Sequence, residues 1–332
     1  MCMHICAIMD EKRFKLIEVA KAYFLESHTQ AEIAQQLGIS RSQVSRYLTE
    51  ARDQGIVQIR IIDETSQTSD INQVLEKRYP HLKHILITPI FEQASEIIRA
   101  NIGRYAANFL VETLQPGQQV TLGCGRTLEA MVRALPERKI TGISVIQAMG
   151  NLGHEAHKID YNEIARVAAE KLGGKVHYLS APAILGIGSG SAKEFLRTNP
   201  MLSDALAIAN EADIFLFGIG SIESDLVYTR FGLIQEHELQ ELKGKVVGDI
   251  CGRFFDIHGH EISSAFEQRL IGINLKSIRD AKYAIALAGG ADKAAPLLGA
   301  IRGKWINGLI CDEQTVHSIL ALDDAYPIMT ES

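Results

Sequence analysis

Cysteine is scarce and unevenly placed. The five cysteines, Cys2, Cys6, Cys124, Cys251 and Cys311, are odd in number, and no two have CxxC spacing. That argues against a disulfide framework or a zinc site and for a reducing, cytoplasmic setting. Cys2 and Cys6 are expected in a loose terminus rather than around a metal. No run of about 18 apolar residues is present, so no membrane span is expected. The apolar first ten residues are short and lack the basic start of a signal peptide. Excess positive charge is missing too: the net charge is −6, which on its face argues against a nucleic-acid binder.

The total hides an uneven distribution. Residues 1–60 carry eight Lys/Arg and seven Asp/Glu, whereas the remainder carries 26 and 33. Within 40–60, Arg41, Arg46, Arg52 and Arg60 face only Glu50 and Asp53. The acidity belongs to the long second part, and a basic spot survives near the N-terminus. With 332 residues, 46% apolar and 22% charged, the chain suits roughly two globular domains.

The basic spot coincides with "TQAEIAQQLGISRSQVSRYLTEARDQG", residues 29–55. Thr29 with Glu32 three residues later spells a capping box. Ile33, Ala34 and Leu37 share a helical face, and Gly38 suits the left-handed turn that ends a helix. Ser40 is the next N-cap, with Gln43 three on, and Val44, Tyr47 and Leu48 form the second apolar stripe. Ala34 is small where the helices cross, and Ile39 can plug the gap. This is a helix-turn-helix pattern whose second helix is offered to a major groove. Its outward residues, Arg41, Ser42, Gln43, Ser45, Arg46 and Thr49, are types that bond base edges and phosphates. With Thr29 and Ser40 they are the expected DNA-binding residues. A preceding helix is expected to turn Phe14, Ile17, Val19, Ala20, Tyr23 and Phe24 mostly inward, with Tyr23 and Phe24 against Leu37 and Leu48. "IVQIRIID" after Gly55 reads as a short strand or wing.

A linker helix bearing Ile71, Val74, Leu75 and Tyr79 follows, limited by Pro80. It suits a dimer contact or packing on the second domain equally. From residue 80 short apolar runs alternate with helical stretches, which means α/β with a mainly parallel sheet. The expected division is 1–60 for the DNA-binding domain, 61–80 for the linker helix and 81–332 for an effector and oligomerisation domain.

Ligands in such sheets bind beyond the carboxyl ends of strands. "GCGRT" offers Gly123, Gly125, Arg126 and Thr127 as an anion cradle. It is neither Walker A, since no GK[ST] follows, nor GxGxxG, since Leu128 stands at the third glycine. "FGIGS" supplies Gly218, Gly220 and Ser221. In "LAGGADKAAP" Lys293 lies in a helix's first turn, against the dipole, which a bound anion would explain. Asp249 could accept hydrogen bonds from sugar hydroxyls, while Asp256 shapes the "DIHG" turn. Anion at one end and hydroxyls at the other suit a phosphorylated polyol. An isomerase-like enzyme carrying a DNA-binding head is the alternative. It needs an acid–base pair for which Asp249 is one candidate, and His154 and His157 read as surface loop residues.

The order of these pieces resembles the SorC family of bacterial sugar-responsive transcription regulators, which are SorC/DeoR-like. The matching stretches are the helix-turn-helix, "GCGRT", "FGIGS", "GDICGRFFDIHG" and "GGADKAAPLLGAIRGKWINGLICDEQT". The resemblance implies a Rossmann-like α/β effector domain, similar to sugar-phosphate isomerases and the CoA-transferase-like fold. It also implies an N-terminal all-α, winged-helix-like head. No catalysis and no cofactor are implied. The partners would be operator double-stranded DNA, a phosphorylated sugar or polyol effector, and further copies in a homodimer or homotetramer. Gly123, Gly125, Arg126, Thr127 and Lys293 would hold phosphate, and Asp249 the sugar hydroxyls. Arg230 fits a family ligand position, and Gln147, Gly150 and Asn162 would line the pocket. Some relatives form a Schiff base through a lysine near this last segment, where Gln147-Ala148-Met149 offers none.

Overall fold

The structure, a computed structural model, describes residues 2–53, 56–57, 68–89, 94–153, 161–222, 227–230 and 232–327. For residues 2–11, 53, 68–69, 227 and 230 it describes the backbone only. The chain divides into compact units, 1–63 and 64–332. Among the described residues no helix is long and apolar enough to cross a membrane.

The first unit comprises α1 (Cys2–Phe24), α2 (Gln30–Leu37) and α3 (Arg41–Asp53). The expected loose terminus is instead the start of α1, since no Gly or Pro interrupts residues 2–24. Thr29 and Glu32 form the capping box: the Thr29 N–H donates to Glu32 at 2.7 Å and the Glu32 N–H to the Thr29 hydroxyl at 3.3 Å. Gly38 closes α2 at φ +64°, a left-handed conformation that only glycine adopts freely. Val19, Ala22, Ile33, Val44 and Leu48 make the core, with Ala34, Leu37 and Ile39 against it. Leu16, Ala20 and Ala51 extend it.

The inward face of α1 differs from expectation. Phe14 is 68% exposed, and Tyr23 and Phe24 are exposed and stacked edge-to-face on each other. The buried stripe is Leu16, Val19 and Ala20, spaced i, i+3, i+4. Phe14 stands two residues from Leu16, about 200° round the helix at 3.6 residues per turn. The expected strand at 56–63 falls mostly outside the described residues.

In the second unit α4 (Thr68–Arg78) buries Leu75 in the main core together with Tyr79 just beyond its end, with Ile71 against it, while Val74 points outward. Packing on the second domain therefore holds this helix. Beyond it run β1 (His84–Thr88), α5 (Ser95–Thr113), β2 (Gln119–Leu122), α6 (Arg126–Ala134), β3 (Ser144–Gln147), α7 (Tyr161–Leu172) and β4 (Lys175–His177). Then come β5 (Ile214–Phe217), β6 (Gly220–Ser221), β7 (Gly248–Ile250), β8 (Arg253–Phe255), β9 (Tyr283–Leu287) and β10 (Gly308–Asp312). Seven strands form a parallel sheet in the order β1-β10-β9-β5-β2-β3-β4, and β6-β7-β8 form a small antiparallel sheet. β5 and β10 are buried at every residue, as in sheets covered on both faces.

The topology positions the site. From β2 the chain runs outward through β3 to β4, then returns to β5 on the other side of β2. The connections after β2 and β5 therefore diverge and leave a crevice at the strands' carboxyl ends, the switch point where α/β sheets bind ligands.

Candidate functional site

A cavity of about 310 Å³ opens at that crevice. Its wall after β2 runs from Cys124 to Gly125, the N-cap of α6, at φ +120° and ψ 168°, a region open essentially to glycine alone. The turn leads directly into α6, where Arg126, Thr127 and Leu128 line the cavity. First-turn N–H groups have no partner within their helix, and no side chain caps this one. The wall after β5 is Gly218 to Ser221, and the wall after β9 is Leu287 to Gly289 with Asp292 and Lys293. The Lys293 ammonium lies 3.4 Å from Asp292.

Asp249 closes the floor. It sits within β7, paired with Gly220 of β6. A Cβ on Gly220 would lie 1.8 Å from the Asp249 carboxylate, so this approach requires glycine. Asp249 Oδ2 accepts hydrogen bonds from the Tyr228 hydroxyl at 3.2 Å and the Gly252 N–H at 2.8 Å. Burial raises its pKa, opposed by those two donors and by the charge of Lys293. Among the described residues no cluster of three or more His, Cys, Asp or Glu could hold a metal.

Gly125, Arg126, Thr127, Gly218, Gly220, Ser221, Asp249 and Lys293 thus meet in one cavity. Four expected lining residues do not line it. Gly123 packs beneath it, where a Cβ would meet the Phe217 Cβ at 2.8 Å. The Gln147 side chain is committed: its NH2 donates to Asn162 at 2.8 Å, and its carbonyl accepts from the Leu179 N–H at 2.9 Å. Gly150 is pressed against the Ala181 carbonyl, 2.5 Å from where a Cβ would be. Asn162 faces a separate open groove with Asn151, Tyr178 and Pro182. Arg230 ends a short helix, Val227–Arg230, and its side chain lies outside the description, as do His154 and His157. Asp256 shapes its turn by accepting from the His258 and His260 N–H groups at 2.9 and 2.8 Å.

Other lining residues escaped the sequence reading: Ser95, Arg99, Cys124, Tyr161, Tyr228, Cys251 and Asp292. Ser95 and Tyr161 open the helices that follow β1 and β3, and that rule would have found them; Arg99 lies one turn further into α5. Burial pushes the Cys124 thiol up to about 12 and raises Cys251 well above the ordinary thiol value, so both are neutral at pH 7.

On the head, Arg41, Ser42, Ser45, Arg46 and Thr49 of α3 are exposed and Gln43 is half-buried. The Gln43 NH2 donates to the Tyr47 hydroxyl at 3.0 Å, which orients that amide. Ser40 caps α3, accepting from the Gln43 N–H at 3.2 Å. Glu50, the first carboxylate along the face, is taken by Lys12. Thr29 is committed to its capping box, with its hydroxyl on Glu32 at 2.8 Å.

The family model described as "Putative sugar-binding domain" matches residues 63–321, and the model for sigma-70 region 4 matches residues 18–54. The chain belongs to the SorC family of sugar-responsive transcriptional regulators. The deoxyribonucleoside regulator of Bacillus subtilis is 31% identical over 314 residues, 94% of this chain and 99% of that protein. The sorbitol operon regulator of Klebsiella pneumoniae is 28% identical over 312 residues, 92% and 97% of the two chains. The full-length structure of the Klebsiella pneumoniae regulator SorC superposes with a TM-score of 0.70 at 27% identity, covering 92% of this chain and 97% of that one. As in other SorC-family proteins, a DNA-binding helix-turn-helix is joined to a sugar-binding α/β domain.

Proposed function

We propose that this SorC-family chain is a cytoplasmic regulator of a carbohydrate-utilisation operon, controlled by a phosphorylated sugar or polyol bound in the switch-point cavity. The observation that carries the reading is the polarity of that cavity. One end gathers the uncapped N-terminus of α6 with Arg126, Thr127 and Lys293, and the floor offers the Asp249 carboxylate. Thr127 donates its hydroxyl hydrogen to a phosphoryl oxygen, Lys293 supplies charge, and Asp249 accepts from a sugar hydroxyl. Relatives named for sorbitol and for deoxyribonucleosides support a small sugar or polyol as the ligand class. The ligand alters operator affinity to the extent that it prefers one of two conformations of the oligomer.

A thermal-shift panel of phosphorylated sugars and their dephosphorylated counterparts tests this. At a hundred times Kd a ligand adds about 2.7 kcal/mol, roughly 4–5 °C for a chain of this size. Shifts with the phosphorylated compounds alone support the reading, and product analysis after long incubation should return the ligand unchanged. A panel without any shift, or turnover of the ligand, contradicts it.

The exposed face of α3 carries a separate expectation. Arg46→Ala should weaken specific DNA binding by about 1–3 kcal/mol if a base contact is lost, with the melting temperature unchanged. Unaltered operator binding across a salt titration would refute the assignment of that face. Residues 1–60 alone should bind operator poorly, since one recognition helix covers one half-site. Tight binding by that fragment as a monomer would contradict the need for paired heads.

A further inference from the structure

We propose that Arg99 supplies a second guanidinium to the anion end of the cavity, so that Arg99 and Arg126 together grip a dianionic phosphoryl group. The inference rests on the reading of the cavity given above and adds a residue and a charge state to it.

The placement follows from how α5 and α6 cross. A Cβ on Gly103 would lie 2.6 Å from the backbone of Ala130 and Met131, so the two helices touch at that point. Arg99 stands four residues before Gly103, and Arg126 four before Ala130. Each guanidinium therefore springs from one turn ahead of the contact, at the carboxyl end of the sheet. Both residues line the cavity, and Ser95, one turn further ahead on α5, lines it with them.

Neither arginine has an ion pair among the described residues. Elsewhere in this unit Arg133, Arg166, Arg253, Arg269 and Arg302 each hold a carboxylate. Among the described residues, Glu129 is held by Arg133, Asp292 by Lys293, and Asp249 by Tyr228 and Gly252, while Glu96 acts on Arg99 through its charge without forming an ion pair with it. Burial and then the like charge of Arg126 pull the Arg99 pKa down, against the smaller opposing charge of Glu96. Two like charges held together in a half-closed cavity oppose each other until an anion joins them. Guanidinium forks match phosphoryl oxygens two at a time, and a dianion answers both.

The test uses the full-length protein with inorganic phosphate as the probe, read by calorimetry and thermal melts. Arg99→Ala should weaken phosphate binding by about tenfold or more, since hydrogen bonds to charged groups are lost. Without ligand the same variant should melt at or above wild type, because a repulsion is removed. Arg99→Lys should bind with intermediate strength, and Arg104→Ala, on the exposed side of α5, as wild type does. Phosphate bound by Arg99→Ala at wild-type strength, while Arg126→Ala or Lys293→Ala loses it, overturns this inference and leaves the cavity's function standing. A ligand-free Arg99→Ala that melts well below wild type assigns the residue to structure and also overturns it. A wild-type protein that responds to neither phosphate nor any phosphorylated sugar overturns both.

Discussion

Replacing Lys293 with alanine is expected to leave operator binding intact and to cut affinity for a phosphorylated sugar about ten- to a hundredfold, as loss of a charged hydrogen bond costs roughly 1.5–3 kcal/mol. Lys293 is only half-exposed, lies at the start of a helix where its charge opposes the dipole, and has Asp292 at 3.4 Å. Its charge also reaches Asp249 on the cavity floor. The dephosphorylated sugar should bind wild type and variant about equally weakly. Calorimetry with both ligands measures this. A variant that binds the phosphorylated sugar as wild type does would show Lys293 to be a surface residue.

Arg269→Ala should produce the largest loss of stability, about 3–5 kcal/mol, because it leaves a buried carboxylate unpaired. The Arg269 guanidinium donates to both oxygens of Glu238 at 2.8 and 2.6 Å and to the carbonyls of Leu185 and Leu233 at 2.7 and 3.2 Å. Glu238 is 3% exposed. Burial pushes its carboxyl up, but Arg269 and the Gln235 N–H outweigh that, and the net shift is downward. A depressed carboxyl stabilises the fold above its unfolded pKa and loses that contribution as pH falls through the folded value. In the variant the sign reverses: the unpaired Glu238 titrates above its unfolded value, so the deficit is full at pH 7 and shrinks toward pH 4. Urea melts at both pH values measure the gap. A gap that stays constant with pH would mean that the ion pair is not its source.

The helix-turn-helix was legible because caps are local chemistry: Thr29 with Glu32, Gly38 and Ser40 leave marks within three residues of their effect. The inward face of α1 was misread because large rings look like core, whereas Leu16, Val19 and Ala20 hold the spacing that packs. The parallel strands could be read as apolar runs ending in turns. β10, "GLICD", pairs with both β1 and β9. For the cavity, Gly125, Arg126 and Thr127 announced themselves as a glycine turn into a helix. Arg99 could not, because it lies a turn into α5 and only the order of strands brings α5 beside α6. Gln147 and Asn162 came from resemblance, and here they bond to each other instead.

Operator-binding isotherms of the wild-type protein, with DNA recovered by selection in vitro and with the phosphorylated sugar from the thermal panel, test the central claim most directly. Saturating ligand should change operator affinity by roughly 5- to 150-fold, the range of a 1–3 kcal/mol coupling, and the dephosphorylated sugar at the same concentration should not. An operator affinity that stays constant at saturating phosphorylated ligand would contradict the account.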